Sequence, residues 1–92
     1  MPAFTPEQIS EGLAAIPEWK FEGGNLVRTF TFSDFRDAMS FVNAVAAFAE
    51  RAGHHPDIDI RYNKVHLALQ SHDAGGITEK DFALAMEIGE AL

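Results

Sequence analysis

Two short alternating runs about a turn constrain this chain more than any other feature. Asp57 to Tyr62 alternates polar and apolar residues, Val65 to Gln70 does the same, and Asn63-Lys64 separates them. A two-residue turn between such runs is the commonest hairpin connection. With Tyr62 opposite Val65, Ile60 meets Leu67 and Ile58 meets Leu69, giving the continuous apolar face that a half-buried strand pair needs. The polar face sets Arg61 opposite His66, Asp59 opposite Ala68 and Asp57 opposite Gln70. Extended further, this register brings His55 opposite His72, two imidazoles roughly 5 Å apart at their β-carbons. Pro56 cannot donate to a ladder, so the pairing is expected to weaken there.

The rest of the chain supplies what the hairpin needs to pack against. Thr5-Pro6-Glu7 opens a short helix with Gln8 completing a capping box; Ile9, Leu13 and Ile16 form its stripe, and it stops before Pro17. Trp19 to Glu22 reads as a strand, Gly23-Gly24-Asn25 as a tight turn, and Leu26 to Phe32 as a second strand with Leu26, Arg28, Phe30 and Phe32 on one face. Trp19 is either core or an aromatic wall at the rim of a site, since indole offers a flat face and one donor.

Ser33 as N-cap and Gly53 as stop bound a long helix, Asp34 to Ala52. Its sheet-facing stripe is expected to be Phe35, Ala38, Met39, Val42, Val45, Ala46 and Ala49. A second stripe, Phe41, Ala44 and Phe48, is expected to serve self-association, the alternative being a cover from the N-terminal helix. After the loop Asp73 to Gly76, Thr78-Glu79-Lys80-Asp81 makes a capping box for a helix running to about Ala91, with Phe82, Ala85, Met86 and Gly89 inward. The outcome is a single α+β domain over residues 1–92, with element order α-β-β-α-β-β-α and helices packed on one face of a four-stranded antiparallel sheet.

Composition narrows the partners. With 92 residues and 47% apolar content there is room for one core, and a chain this short buries only about 60 to 65% of its unfolded surface, so association would help it. Fourteen acidic residues against seven basic give a formal charge of −7, which disfavours a nucleic-acid phosphate surface. There is no cysteine for disulfide or thiolate chemistry, no apolar run long enough to span a membrane and no charged-then-apolar leader. A cytoplasmic protein is expected.

Three of the four histidines, His54, His55 and His72, fall at the ends of the two hairpin strands. Histidine is the side chain whose ordinary pKa, about 6.5, suits both giving and taking a proton near neutrality. Glu50, four residues before His54, either orients an imidazole or is a solvated last-turn acid. His66 is expected on an exposed strand face. A metal site is the competing use, but adjacent histidines diverge and no His-Glu-x-x-His spacing supports one.

In order and spacing, Glu50, His54-His55-Pro56, Tyr62-Asn63-Lys64-Val65, Ser71-His72, Gly76-Ile77-Thr78 and Asp81 resemble the pattern of the pterin-4a-carbinolamine dehydratases. The upstream residues Trp19, Leu26, Arg28, Phe30, Phe32, Phe35 and Ala38 fit it as well, so the resemblance covers nearly the whole chain. Ser71 stands where threonine is usual, and Gln70 where a small polar residue is. The resemblance implies a hydro-lyase that removes water from 4a-hydroxytetrahydropterin to give quinonoid dihydropterin. That reaction recycles the tetrahydrobiopterin-type cofactor of an aromatic amino acid hydroxylase, with the pterin as substrate and no metal or organic cofactor. The elimination needs an acid for the departing 4a-hydroxyl and a base for the N5 proton; the spacing does not divide those roles among the histidines.

By the same resemblance His54, His55, His72 and Asp81 are the catalytic set, and Trp19, Glu50, Gly53, His54, His55, Gln70, Ser71, His72 and Asp73 bind substrate. Backbone groups of Gly53 to His55 and Gln70 to Asp73 would take the pterin's amide edge. A homodimer or homotetramer is expected. The alternative function is a non-catalytic dimerisation or assembly partner on the same fold, which needs the interface but not the histidines.

Overall fold

In the computed structural model, which describes residues 2–92, the elements follow the expected α-β-β-α-β-β-α order. Helix α1 (Pro6–Leu13) carries both halves of its capping box, Gln8 N–H donating to Thr5 Oγ1 and Thr5 N–H to Gln8 Oε1. Strands β1 (Lys20–Glu22) and β2 (Asn25–Thr31) turn on Gly23-Gly24, both at positive φ, where glycine carries no steric cost. Helix α2 (Phe35–Ala52) leads to the hairpin β3 (Asp57–Arg61) and β4 (Lys64–Leu69), then to a 3-10 turn (His72–Ala74) and helix α3 (Glu79–Glu90). The sheet is antiparallel in the order β1-β2-β4-β3, so β3 is an edge strand.

The hairpin register differs from the expected one. Arg61 faces Lys64, Ile60 faces Val65, Ile58 faces Leu67 and Asp57 faces Ala68, so the turn residues are Tyr62 and Asn63 rather than Asn63 and Lys64. A shift by an even number of residues keeps each side chain on its expected face, because the side-chain period is two. The cause lies outside the hairpin. Asn63 Nδ2 donates to the Phe32 carbonyl, and the Asn63 carbonyl accepts from Phe32 N–H, each at 2.8 Å. Docking Asn63 onto the end of β2 leaves Tyr62 at φ 54°, an uncommon conformation for a bulky residue. His55 does not pair with His72: β3 starts only after Pro56, β4 ends at Leu69, and His72 begins the 3-10 turn.

The helix stripes also settle differently. Asp34, not Ser33, caps α2 by accepting from Asp37 N–H, while the Ser33 hydroxyl donates to Asp37 Oδ2. On α2 the buried residues are Ala38, Phe41, Val45 and Ala49, whereas Phe35 and Ala46 are exposed. Phe41 is therefore core and not an association surface. Its ring lies 4.6 Å from that of Phe30 and 5.0 Å from that of Phe32, so one aromatic on β2 and one just past its end cover it. On α3 the buried set is Asp81, Leu84, Ala85 and Ile88; Met86 is exposed and Phe82 stacks on Phe4. Helix α2 lies against β4 and α3, and β3 is left uncovered: Ile58 and Ile60, on the helix-side face, remain 38% and 36% exposed.

Two stability measurements check this account. Phe41→Ala should cost about 3 to 5 kcal/mol in urea unfolding, against about 0.5 kcal/mol or less for the exposed Phe35→Ala. Asn63→Ala, which strips one buried-end hydrogen bond from Phe32, should cost about 1 to 2 kcal/mol; no loss would remove Asn63 as the determinant of register.

Candidate active site

The end of α2 aims the first histidine. Gly53 closes the helix in the left-handed conformation, φ 63° and ψ 32°, and the N–H of His54 returns to the Ala49 carbonyl at 3.1 Å. This six-to-one bond belongs to the Schellman motif and reverses the chain sharply. The reversal points His54 inward against α3. There His54 Nε2 meets Asp81 Oδ1 at 2.5 Å, with the imidazole 10% exposed and the carboxylate fully buried.

Asp81 sits at the third position of α3 and also completes that helix's capping box, Oδ2 accepting from Thr78 N–H at 2.9 Å. Oδ2 accepts a second bond, from the Ser71 hydroxyl at 2.8 Å, and Ser71 Oγ lies 2.7 Å from Thr78 Oγ1. Three donors thus surround one carboxylate at a helix N-terminus, where negative charge is favoured. An ionised carboxylate only accepts, so the His54 nitrogen facing it carries a proton. The other nitrogen, Nδ1, has no partner among the described residues. No buried side-chain nitrogen or oxygen among the described residues lacks one, so Nδ1 keeps contact with solvent. A neutral His54 therefore presents a bare, outward lone pair backed by a buried anion, an arrangement suited to taking up a proton.

The other residues read from the sequence are dispersed around this pair. His55 is exposed, and its Nε2 lies 2.5 Å from Glu50 Oε2; Glu50 is thus both a solvated last-turn acid and in contact with an imidazole. His72 follows Ser71 immediately and is exposed on the 3-10 turn. That turn is closed at its base by Ser71 and Gly76, which exchange backbone bonds of 2.8 and 3.3 Å. Asp73 lies in the same turn and borders, with Ser71, Ala74, Thr78 and Lys80, a cavity of about 80 Å³. Gln70 donates weakly to the Gly24 carbonyl at 3.4 Å, tying β4 to the β1–β2 turn.

His66 is on the sheet's open face, bonded through Nδ1 to Thr29 Oγ1 at 2.9 Å, apart from the helix side. Trp19 is buried, edge-on to Phe30 at 6.1 Å. It borders a separate cavity of about 250 Å³ with Arg28 and the C-terminal half of α3, and no histidine lines that cavity. Thr78 is the residue that sequence reasoning placed only as a helix cap; its side chain belongs to the Asp81 cluster. The capping-box spacing already joined Thr78 to Asp81, but no local signal links either to His54 or Ser71.

Comparison with known proteins identifies the family. The sequence profile described as pterin 4 alpha carbinolamine dehydratase matches residues 2–91. A protein of Acidobacterium capsulatum is 59% identical and one of Chloroflexus aurantiacus 56% identical, each over 92 residues, covering 100% of this chain and 99% of the relative; both are provisionally named pterin-4-alpha-carbinolamine dehydratase. Among solved structures, a transcriptional coactivator/pterin dehydratase from Brucella melitensis superposes with a TM-score of 0.92 at 31% identity over 96% of each chain. A pterin dehydratase-like protein described as a RuBisCO assembly factor in the alpha-carboxysome gives 0.68 at 26% identity, over 79% of this chain and 87% of that one. With the profile running almost end to end and its relatives aligned over their full length, this chain belongs to the pterin 4 alpha carbinolamine dehydratase family.

Proposed function

We propose that this protein dehydrates 4a-hydroxytetrahydropterin to quinonoid dihydropterin, and that the His54–Asp81 pair supplies the base. The observation that carries the reading is His54 itself, pinned at Nε2 by a buried carboxylate and open at Nδ1. In the reaction His54 takes the N5 proton, the N5 electron pair forms the C4a=N5 double bond, and the C4a–O bond breaks. The departing hydroxyl leaves as water after receiving a proton from an imidazolium, either His55, next to His54 in sequence, or His72, next to Ser71, both of which are exposed. One proton is taken and one given, so solvent exchange restores the histidines. No metal or organic cofactor takes part in this scheme, and the pterin is the substrate. The proposal extends to a cytoplasmic setting beside an aromatic amino acid hydroxylase, whose cofactor the product would replenish; no helix of the described residues is long and apolar enough to cross a membrane.

Kinetics and stability together test the scheme. His55→Ala and His72→Ala remove exposed side chains, so each should change stability by about 0.5 kcal/mol or less. Turnover should fall by about 10² to 10⁴ for whichever residue is the acid, and likewise for His54→Ala. Parent-like dehydration by all three variants would remove the histidines from the chemistry. A parent that itself fails to dehydrate 4a-hydroxytetrahydropterin would favour the second reading, an assembly or dimerisation partner, which draws support from the solved neighbour described as a RuBisCO assembly factor.

Either reading accommodates a homo-oligomer, and we propose that it forms through the free edge of β3. Paired antiparallel with a second copy about Asp59, the strand sets Ile58 opposite Ile60 and Asp57 opposite Arg61, burying the uncovered isoleucines and pairing opposite charges on either side of an axis where the two Asp59 carboxylates face each other. Unpaired edge groups favour such pairing. Light scattering should show an oligomer at micromolar concentration, and Ile58→Lys with Ile60→Lys should shift it toward monomer; an oligomer indifferent to that double change would place the interface elsewhere.

A further inference from the structure

We propose that Ser71 and Thr78 are positioning residues that set the proton arrangement of the His54–Asp81 pair, and that Ser71 does not hold the substrate through its hydroxyl. This deepens the dehydratase reading and rests on it only for the turnover part of the test. Ser71 is 2% exposed, and its hydroxyl is within bonding distance of both Asp81 Oδ2 and Thr78 Oγ1. A hydroxyl has one proton to give. Because the carboxylate can only accept, the Ser71 proton lies toward Asp81. Ser71 Oγ must then accept from the Thr78 hydroxyl, and Thr78 Oγ1 accepts in turn from Lys80 N–H at 3.3 Å.

Every proton in this row points toward Asp81. With the Thr78 N–H on the same oxygen, Oδ2 is occupied by two donors and the carboxylate is held at both ends. Oδ1 is the oxygen left for His54. The consequence falls on the imidazole: a fixed, proton-free Oδ1 selects the tautomer with the proton on Nε2 and leaves Nδ1 as the open nitrogen. Ser71 and Thr78 thus act through Asp81 on an atom neither of them touches. The cavity of about 80 Å³ beside Ser71 has room for one methyl group, so Ser71→Thr should keep the hydroxyl in place and act as the conservative control.

The test uses the full chain with Ser71→Ala, Ser71→Thr, Thr78→Val and Thr78→Ser. The ring ¹⁵N signals of His54 are recorded without substrate, and kcat and KM are measured with 4a-hydroxytetrahydropterin. The parent should show a single Nε2–H tautomer. Ser71→Ala should introduce a second, Nδ1-protonated population and lower kcat about ten- to a hundredfold at unchanged KM, while Ser71→Thr should restore both readouts. Thr78→Val should behave as Ser71→Ala and Thr78→Ser as the parent; should loss of the cap prevent Thr78→Val from folding, Ser71→Ala decides. A Ser71→Ala protein that keeps the parent tautomer overturns the proposal, as does one that raises KM with kcat unchanged, which would make Ser71 a substrate contact. A parent without dehydratase activity whose tautomer still responds to Ser71→Ala would sink the dehydratase reading alone.

Discussion

The buried carboxylate of Asp81 is the interaction on which the functional end of this fold depends. An isolated carboxylate in an apolar interior is strongly disfavoured, and only hydrogen-bond donors and nearby positive potential offset the loss of water. Asp81 obtains its donors from three places: the Thr78 backbone at the start of α3, the Ser71 hydroxyl past the end of β4, and the His54 imidazole past the end of α2. Each such bond to a charged group is worth about 1.5 to 3 kcal/mol. The end of α2, the turn after β4 and the start of α3 therefore converge on one buried charge. The site and the local stability of that end of the domain are the same set of contacts.

The aromatic cluster does the corresponding work at the other end of the layer. Phe41 on α2 is held between Phe30 and Phe32, and Trp19 meets Phe30 from the far side. This fixes how α2 lies across the sheet, and hence where its C-terminal turn delivers His54. Arg28 stacks over the same Phe30 ring at 4.3 Å, keeping a cation at the border of the core through its contact with an aromatic face. Among the described residues Tyr62 is the one non-glycine at positive φ, at the hairpin tip where Asn63 docks onto Phe32.

The histidines are unevenly held by the fold. His54 is almost enclosed and held, whereas His55 and His72 are exposed and free to follow solvent or ligand. In the proposed scheme a held base and exposed acids suit an elimination that releases water, since the proton donor would be recharged from solvent after each turnover. Exposure of the Glu50–His55 pair also makes its energetic contribution small.

The sequence by itself determined the element order, the caps of α1 and α3 and the faces of the hairpin strands. It also carried the His54-His55-Pro56 and His72 motif that marks the family. These follow from local rules: caps depend on residues three apart, and strand faces on a period of two. What only the tertiary structure decided depends on contacts between distant segments. Asn63 bonding to Phe32 chose the hairpin turn, and Phe30 with Phe32 drew Phe41 inward on a helix rich in alanine, whose small side chains give no strong preference for one face. Asp81, legible as a cap, became the partner of His54 twenty-seven residues away because a carboxylate turned inward by its own helix start needs a donor from outside that helix.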